Sequence, residues 1–343
     1  MNQPRWKKRP EGSNWGDFGP NDQLGRVNLI GTEQVLKGVQ EVQEGVTFCL
    51  SLPLDIPGGK VLNPRRSPPK LTPTALDEDQ YINFPLSTHN PKLNDIISDD
   101  QVQLSLQYST QWDSLAHVGA LFDGDDDGSP ERRYYNGYMA AQDVLDLSAE
   151  PSQQRHDSYA RRLGIETLAA HGMQGRGVLV DLVRAFGSGR TLIGYRELLE
   201  ALEQQSVVLE QGDMLVLRTG FAEALLDMKG TPQPDVLKNT GAVLDGSDPA
   251  LLEWITSSGI AAICADNYAV ENLDRELEPD CCSKLPLHLH CLFKLGLPLA
   301  ELWYLKDLAD WLHSRGRNRF LLTAPPLRLP GAIGSPVTPV ATV

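Results

Sequence analysis

Between residues 102 and 109 apolar and polar side chains alternate without a break: Val102, Leu104, Leu106 and Tyr108 against Gln103, Ser105, Gln107 and Ser109. A period of two over that length predicts a half-buried strand. The polar face continues through Gln111 and Asp113 towards His117. If the chain stays extended, Gln107, Gln111, Asp113 and His117 share one face. If a helix starts near Asp113, then Asp113 and His117 meet at i, i+4. Either geometry joins a carboxylate to an imidazole, a pair that can hold a metal or move a proton. On residue types alone the plainer reading is the commoner one: Asp113 caps a helix with Ser114, and His117 is an ordinary, partly buried histidine.

The rest of the chain supplies a frame. Residues 32–42 read as a helix capped by Thr32, and 46–52 as a strand. Residues 53–95 carry eight prolines and little periodicity, which predicts a long loop bordering a site or an interface. From about residue 160 the patterns alternate. Helices are expected over 159–171, 194–205 and 249–258, and strands over 177–182, 213–217 and 260–265. A short helix over 285–295, a strand over 297–305, a helix over 306–313 and a strand over 320–324 follow. The tail GSPVTPVATV, broken by prolines, is expected on the surface. This order predicts an α/β fold: a single domain over 21–343 with a mixed β-sheet flanked by helices, and a surface arm over 1–20 pinned by Trp6 and Trp15. Arg218 and Thr219, and likewise Asp266 and Asn267, fall just past strand ends, where ligand groups collect in such folds.

Composition narrows the chemistry. The chain has 343 residues, 41% of them hydrophobic, enough for a sizeable core. Its formal net charge of −14 argues against nucleic acid and anionic membrane surfaces as partners. No long apolar run is present, so a cytoplasmic protein is expected. The five cysteines are too few and too odd in number for a disulfide framework. Cys281, Cys282, His288, His290 and Cys291 lie close together without C-x-x-C spacing, and apart from His288 they read as structural. Asp123, Asp125, Asp127 and Gly128 imitate the start of an EF-hand loop, but Tyr134 stands where its closing glutamate belongs; an acidic surface turn is expected. Glu301 sits within an apolar run, where a carboxylate must be paired, protonated or metal-bound. The alternative is that Glu301 faces solvent and His288 merely opens a helix.

The stretch from Gln107 to His117 resembles the signature of the metal-dependent cyclase-like hydrolases, the family of bacterial kynurenine formamidase and isatin hydrolase. That signature runs H-x-G-T-H-x-D-x-P-x-H. Thr110, Asp113 and His117 match it; Gln107 and Gln111 replace its two leading histidines, Ser109 its glycine and Leu115 its proline. The S-T-Q-W-D-x-L-x-H variant is similar to the family's long branch, as are residues 14–29, 134–138 and 286–303. The resemblance implies a swivelling β/β/α-like fold and a dimer or tetramer. It also implies a divalent metal, zinc or manganese, held by Asp113, His288 and Glu301, with Gln111 and Gln107 as weaker candidate ligands. His117 would be the general acid and base.

The implied reaction is hydrolysis of a small cyclic or acylated amide or ester: a formamide, a lactam or a lactone. Trp112, Tyr134, Tyr135, Asn136 and Arg218 are the expected pocket residues, the aromatic ones favouring a flat substrate. Two rivals stand beside it. One is a metabolite-binding homologue that has lost turnover along with the two histidines. The other is a metal-independent lyase, isomerase or cyclase using His117.

Overall fold

A computed structural model describes residues 4–145, 159–274 and 283–343. Among the described residues the main sheet has nine strands. They are β1 (Thr47–Cys49), β2 (Gln111–Asp113), β3 (Gln174–Asp181), β4 (Met214–Arg218), β5 (Ala262–Ala265), β6 (Leu299–Glu301), β7 (Arg319–Thr323), β8 (Gly334–Pro336) and β9 (Val340–Thr342). Their spatial order is β1-β9-β7-β3-β4-β5-β6-β2-β8. The run β3-β4-β5-β6 is parallel and the remaining pairs are antiparallel. This is the mixed-sheet α/β architecture that the sequence predicts.

Both faces of the central strands are covered, which is why they read as continuous apolar runs. Val178 and Val180 of β3 and Leu215 and Leu217 of β4 point to one side. There they meet Leu198, Ala201 and Leu202 of the helix Tyr195–Gln204, and Leu251 and Ile255 of Pro249–Ser258. Leu179, Met214, Val216 and Cys264 point to the other side, onto Leu308, Ala309 and Leu312 of the helix Lys306–Ser314. No helix among the described residues is long and apolar enough to cross a membrane.

Four local expectations are corrected. The alternating stretch is not one strand. Asp100–Gln103 pairs with Lys70–Pro73 in an exposed ribbon, and strand structure resumes only at β2, buried on both faces. The proline-rich loop holds further short ribbons, Ala75–Leu76 with Asp79–Gln80 and Phe84–Pro85 with Ile96–Ile97. The helix expected over 285–295 is a single turn, Pro286–His288, that widens into a π-helix over Leu289–Leu295. The tail is sheet rather than surface: β8 pairs with β2, β9 lies between β1 and β7, and Ser335, Ala341 and Val343 are fully buried. The proline at the end of β8 is tolerated because that strand is the sheet's edge. In the N-terminal segment Trp15 is buried against Trp6, Phe122 and Phe293, and its ring nitrogen donates to the Phe293 carbonyl at 2.7 Å.

Candidate metal centre

Strand β2 lies between β6 and β8, with Ala300 opposite Trp112 and Glu301 opposite Gln111. Directly opposed residues in a ladder share a face, and neighbours along a strand alternate. Gln111, Asp113 and Glu301 therefore point to one side, and Trp112 to the other. Thr110 secures the junction. Its hydroxyl accepts the Leu52 N–H at 2.9 Å and donates to the carbonyl of Leu302, the left-handed residue (φ 57°) that ends the turn after Glu301.

The fourth side chain arrives from the single helical turn. Its imidazole is oriented by Glu271, a residue the sequence reading did not single out. Glu271 Oε1 accepts the His288 backbone N–H at 2.9 Å and lies 2.6 Å from His288 Nδ1, while Oε2 accepts the Leu287 N–H at 2.9 Å. Glu271 follows two non-glycine residues in left-handed conformation, Ala269 (φ 72°) and Val270 (φ 58°). For a β-branched residue such as Val270 that conformation is strained, and strain of this kind gathers at functional sites. A Cβ on Gly246 would stand 2.6 Å from Glu271 Oε2, so only glycine admits the carboxylate there.

The outcome is convergence. One ligand atom each from Asp113, His288 and Glu301 lies within 4.8 Å of the others, and all three residues are buried. His288 Nε2 is 3.4 Å from Glu301 Oε1 and 4.0 Å from Asp113 Oδ2. His117 Nε2 stands 3.8 Å from Asp113 Oδ1, and its side chain keeps 23% exposure where the other three have almost none.

Charge sharpens the picture. Burial is the largest influence on the Asp113 carboxyl and pushes it up; His117 opposes this and Glu301 adds to it. Burial would also raise Glu301, but His288 outweighs it and holds that carboxyl below its usual range. Burial would lower His288, yet hydrogen bonds to Glu271 and Glu301 push it up to about 10. Asp113 Oδ2 is buried with no hydrogen-bond partner. Gln111, turned so that its nitrogen donates to the carbonyls of Gln107 (2.6 Å) and Ser109 (3.2 Å), presents its oxygen to Asp113 Oδ1 at 3.4 Å. An orphaned carboxylate oxygen, a facing amide oxygen and an imidazole whose far nitrogen is already anchored suit a divalent cation. The residues present fit such an ion.

The "Cyclase: Putative cyclase" family model matches residues 50–272, most of the chain and three of these four side chains' positions or their supports. The chain belongs to this family. A solved structure described as a novel cyclase is 31% identical, covering 96% of this chain and 97% of its own, with a TM-score of 0.73. Isatin hydrolase A from Labrenzia aggregata, bound to benzyl benzoate, is 13% identical with a TM-score of 0.53, covering 91% of this chain and 98% of its own. Isatin hydrolase A from Ralstonia solanacearum is 14% identical with a TM-score of 0.53, covering 86% and 91%. These two share the fold. Among curated proteins none matches the sequence.

The other expected site residues of this cyclase-family chain lie elsewhere. Gln107 packs its side chain over Gly334, and its carbonyl accepts from Arg66 Nη1 at 2.6 Å. Trp112 is core: fully buried, edge-on to Trp303 at 5.5 Å, its ring nitrogen donating to the Ala324 carbonyl at 2.8 Å. Tyr135 is fully buried, with its hydroxyl 3.1 Å from Asp22 Oδ2. Asn136 clasps the N-terminal segment through the carbonyls of Gly19 and Asp22, both at 3.0 Å. Arg218 is spent on Asp181 and Glu223, at 2.8 and 2.7 Å. Tyr134, half-buried beside Gly119, is the aromatic of this set nearest the His117 turn. His290 points away, 2.9 Å from the Thr256 hydroxyl. Asp125 and Glu131 both pair with the buried Arg133, and Asp123 accepts the Asp127 and Gly128 N–H groups, so the acidic turn is a structural knot. Cys281 and Cys282 lie outside the described residues, and Cys291 is a buried free thiol.

Proposed function

We propose that this protein is a metal-dependent hydrolase acting on a small cyclic or acylated amide or ester. The observation that carries the reading is the orphaned, buried Asp113 Oδ2 facing His288 and Glu301, with the half-exposed His117 beside it. Asp113, His288 and Glu301 would hold the cation, and zinc and manganese both accept two carboxylates and an imidazole. A divalent ion bound there polarises an acyl carbonyl and lowers the pKa of water.

The chain's own groups divide the remaining work. Glu271 keeps the proton on His288 Nδ1, which leaves the Nε2 lone pair free for the ion. His117 has the solvent access that the ligands lack, so it takes the proton from the attacking water and returns it to the leaving nitrogen or oxygen. Arg66 lowers the pKa of both Asp113 and Glu301, and its positive potential favours negative charge developing at the site. Isatin hydrolases share the fold, which makes lactams the first substrates to try, followed by formamides and lactones.

The test is metal analysis joined to turnover. Protein purified with zinc or manganese should hold a stoichiometric ion, lose it to chelator together with activity, and recover both on reloading. Activity that survives complete metal removal would instead favour a metal-independent lyase or isomerase. Full loading without turnover on any acyl substrate would favour a binding homologue.

A further inference from the structure

The proline-rich stretch forms an arm that the fold leaves uncovered. Its central ribbon pairs Leu71 with Val102 directly across the strands, and both side chains face solvent, at 68% and 49% exposure. Every residue of that ribbon is exposed or half-exposed. Leu76, Ile82 and Ile96, further out, are exposed as well. A two-stranded ribbon with no buried face is marginal in water on its own. Together these side chains present on the order of 500 Å², the size of the largest apolar patch on an ordinary monomer.

The arm also carries charge of one sign. Between Lys70 and Gln103 there are six acids, Asp77, Glu78, Asp79, Asp95, Asp99 and Asp100, against two lysines, Lys70 and Lys92. Beside the arm's root lies its complement. A groove of about 430 Å³ is lined by Leu106, Leu329, Pro330, Ala332 and Ile333. The segment after Tyr159 runs along it, with the Ala160 and Ile165 N–H groups donating to the Gly331 and Ala332 carbonyls at 2.8 Å. That places the exposed Arg161 and Arg162 on the rim, with Arg328 on the groove's own loop. Among the described residues none of these three guanidinium groups has an ion-pair partner.

We propose that the groove receives the arm of a second copy of this chain. The apolar ribbon face carrying Leu71 and Val102 lies on Leu329 and Ile333, and the arm's carboxylates meet the arginine rim. The exchange is reciprocal about a two-fold axis, because arm root and groove adjoin at Leu106 and Gln107. Two such contacts bring the covered area to on the order of 1,600 Å², that of a standard interface. The arm springs from Arg66 on one side and Gln107 on the other, bonded to each other at 2.6 Å, so the exchange also braces the cation nearest the metal ligands.

Light scattering on the full chain at micromolar concentration tests this. The wild type should have the mass of at least two chains. The double variant Leu71→Asp with Val102→Asp should have half that mass, with an unchanged far-ultraviolet spectrum and metal content. Arg161→Glu with Arg328→Glu, in the groove, should dissociate the protein in the same way. Mixing the two double variants should restore association, since each keeps the half the other has lost. A monomeric wild type overturns the proposal, and so does an arm variant that keeps the full mass. Persistence of the groove variant as a dimer would show arm pairing with arm and would overturn it too.

Discussion

Asp113 Oδ2 faces His288 Nε2 at 4.0 Å although neither atom has a proton to share in the state a metal requires. Two acceptors are held that close because the backbone around each is fixed independently, Asp113 by its two flanking strands and His288 by Glu271. Asp113→Ala should therefore keep the fold and lose the ion. Its circular dichroism should match the wild type, while metal analysis and turnover both fall to background. A variant that retains a full equivalent of metal would remove Asp113 from the ligand set.

Glu271 holds its imidazole through three hydrogen bonds, two of them to backbone N–H groups. Replacing partners of this kind behind a metal ligand costs 10–100-fold in affinity or activity. Glu271→Gln should weaken metal binding by about that factor, measured by competition with a chelating dye. An affinity unchanged from wild type would mean that His288 needs no support from this side.

His117 is the converse case. It reaches Asp113 only at 3.8 Å and stays partly exposed, so it contributes little to holding an ion. His117→Ala should keep the metal and lower kcat by roughly 10²–10⁴ with KM little changed, the range for a lost general acid and base. Loss of the metal along with kcat would reassign it as a ligand.

How much of this was legible beforehand depends on what the pattern encodes. The period of two placed Gln111 and Asp113 on one face, and the same rule puts Trp112 on the other. The alternation itself therefore marked Trp112 as core, and expecting it in the pocket set side-chain chemistry above parity. The alternation also predicted the pleat of 100–103 correctly but not its burial, because period two records which residues share a face and not what covers that face. Glu271 escaped notice because it follows a left-handed turn that has no periodicity; its signal was an acid in the otherwise apolar run NYAVENL. The convergence of Asp113 with His288 and Glu301 rests on strands that are neighbours in space and distant in sequence, and only the family resemblance joined them in advance.

Trp112 offers a direct test of that core assignment. Its indole fills the space against Trp303 and satisfies the Ala324 carbonyl. Trp112→Ala should destabilise the protein by about 3–5 kcal/mol, as large-to-small core changes do, seen as a lower denaturant midpoint. A variant of wild-type stability with altered KM would return Trp112 to the substrate pocket.

The last expectation concerns pH and lies away from the metal ligands. Asp266 is fully buried, and burial raises its carboxyl to about 7 despite hydrogen bonds from the Thr219 N–H, the Thr219 hydroxyl and the Gly220 N–H. Its unfolded value is 3.8, so between roughly pH 4 and pH 7 the folded state binds the extra proton. Stability from this group is then full below the unfolded value and is lost as pH rises through the folded one. At about 1.4 kcal/mol per unit the loss amounts to a few kcal/mol. Asp266→Asn cannot titrate, and its amide turns a donor towards one of the N–H groups, so it should be the less stable protein at pH 4. The gap to wild type should close as pH rises to 7, followed by urea unfolding across that range. A gap that stays constant would mean that the three donors keep Asp266 ionised throughout.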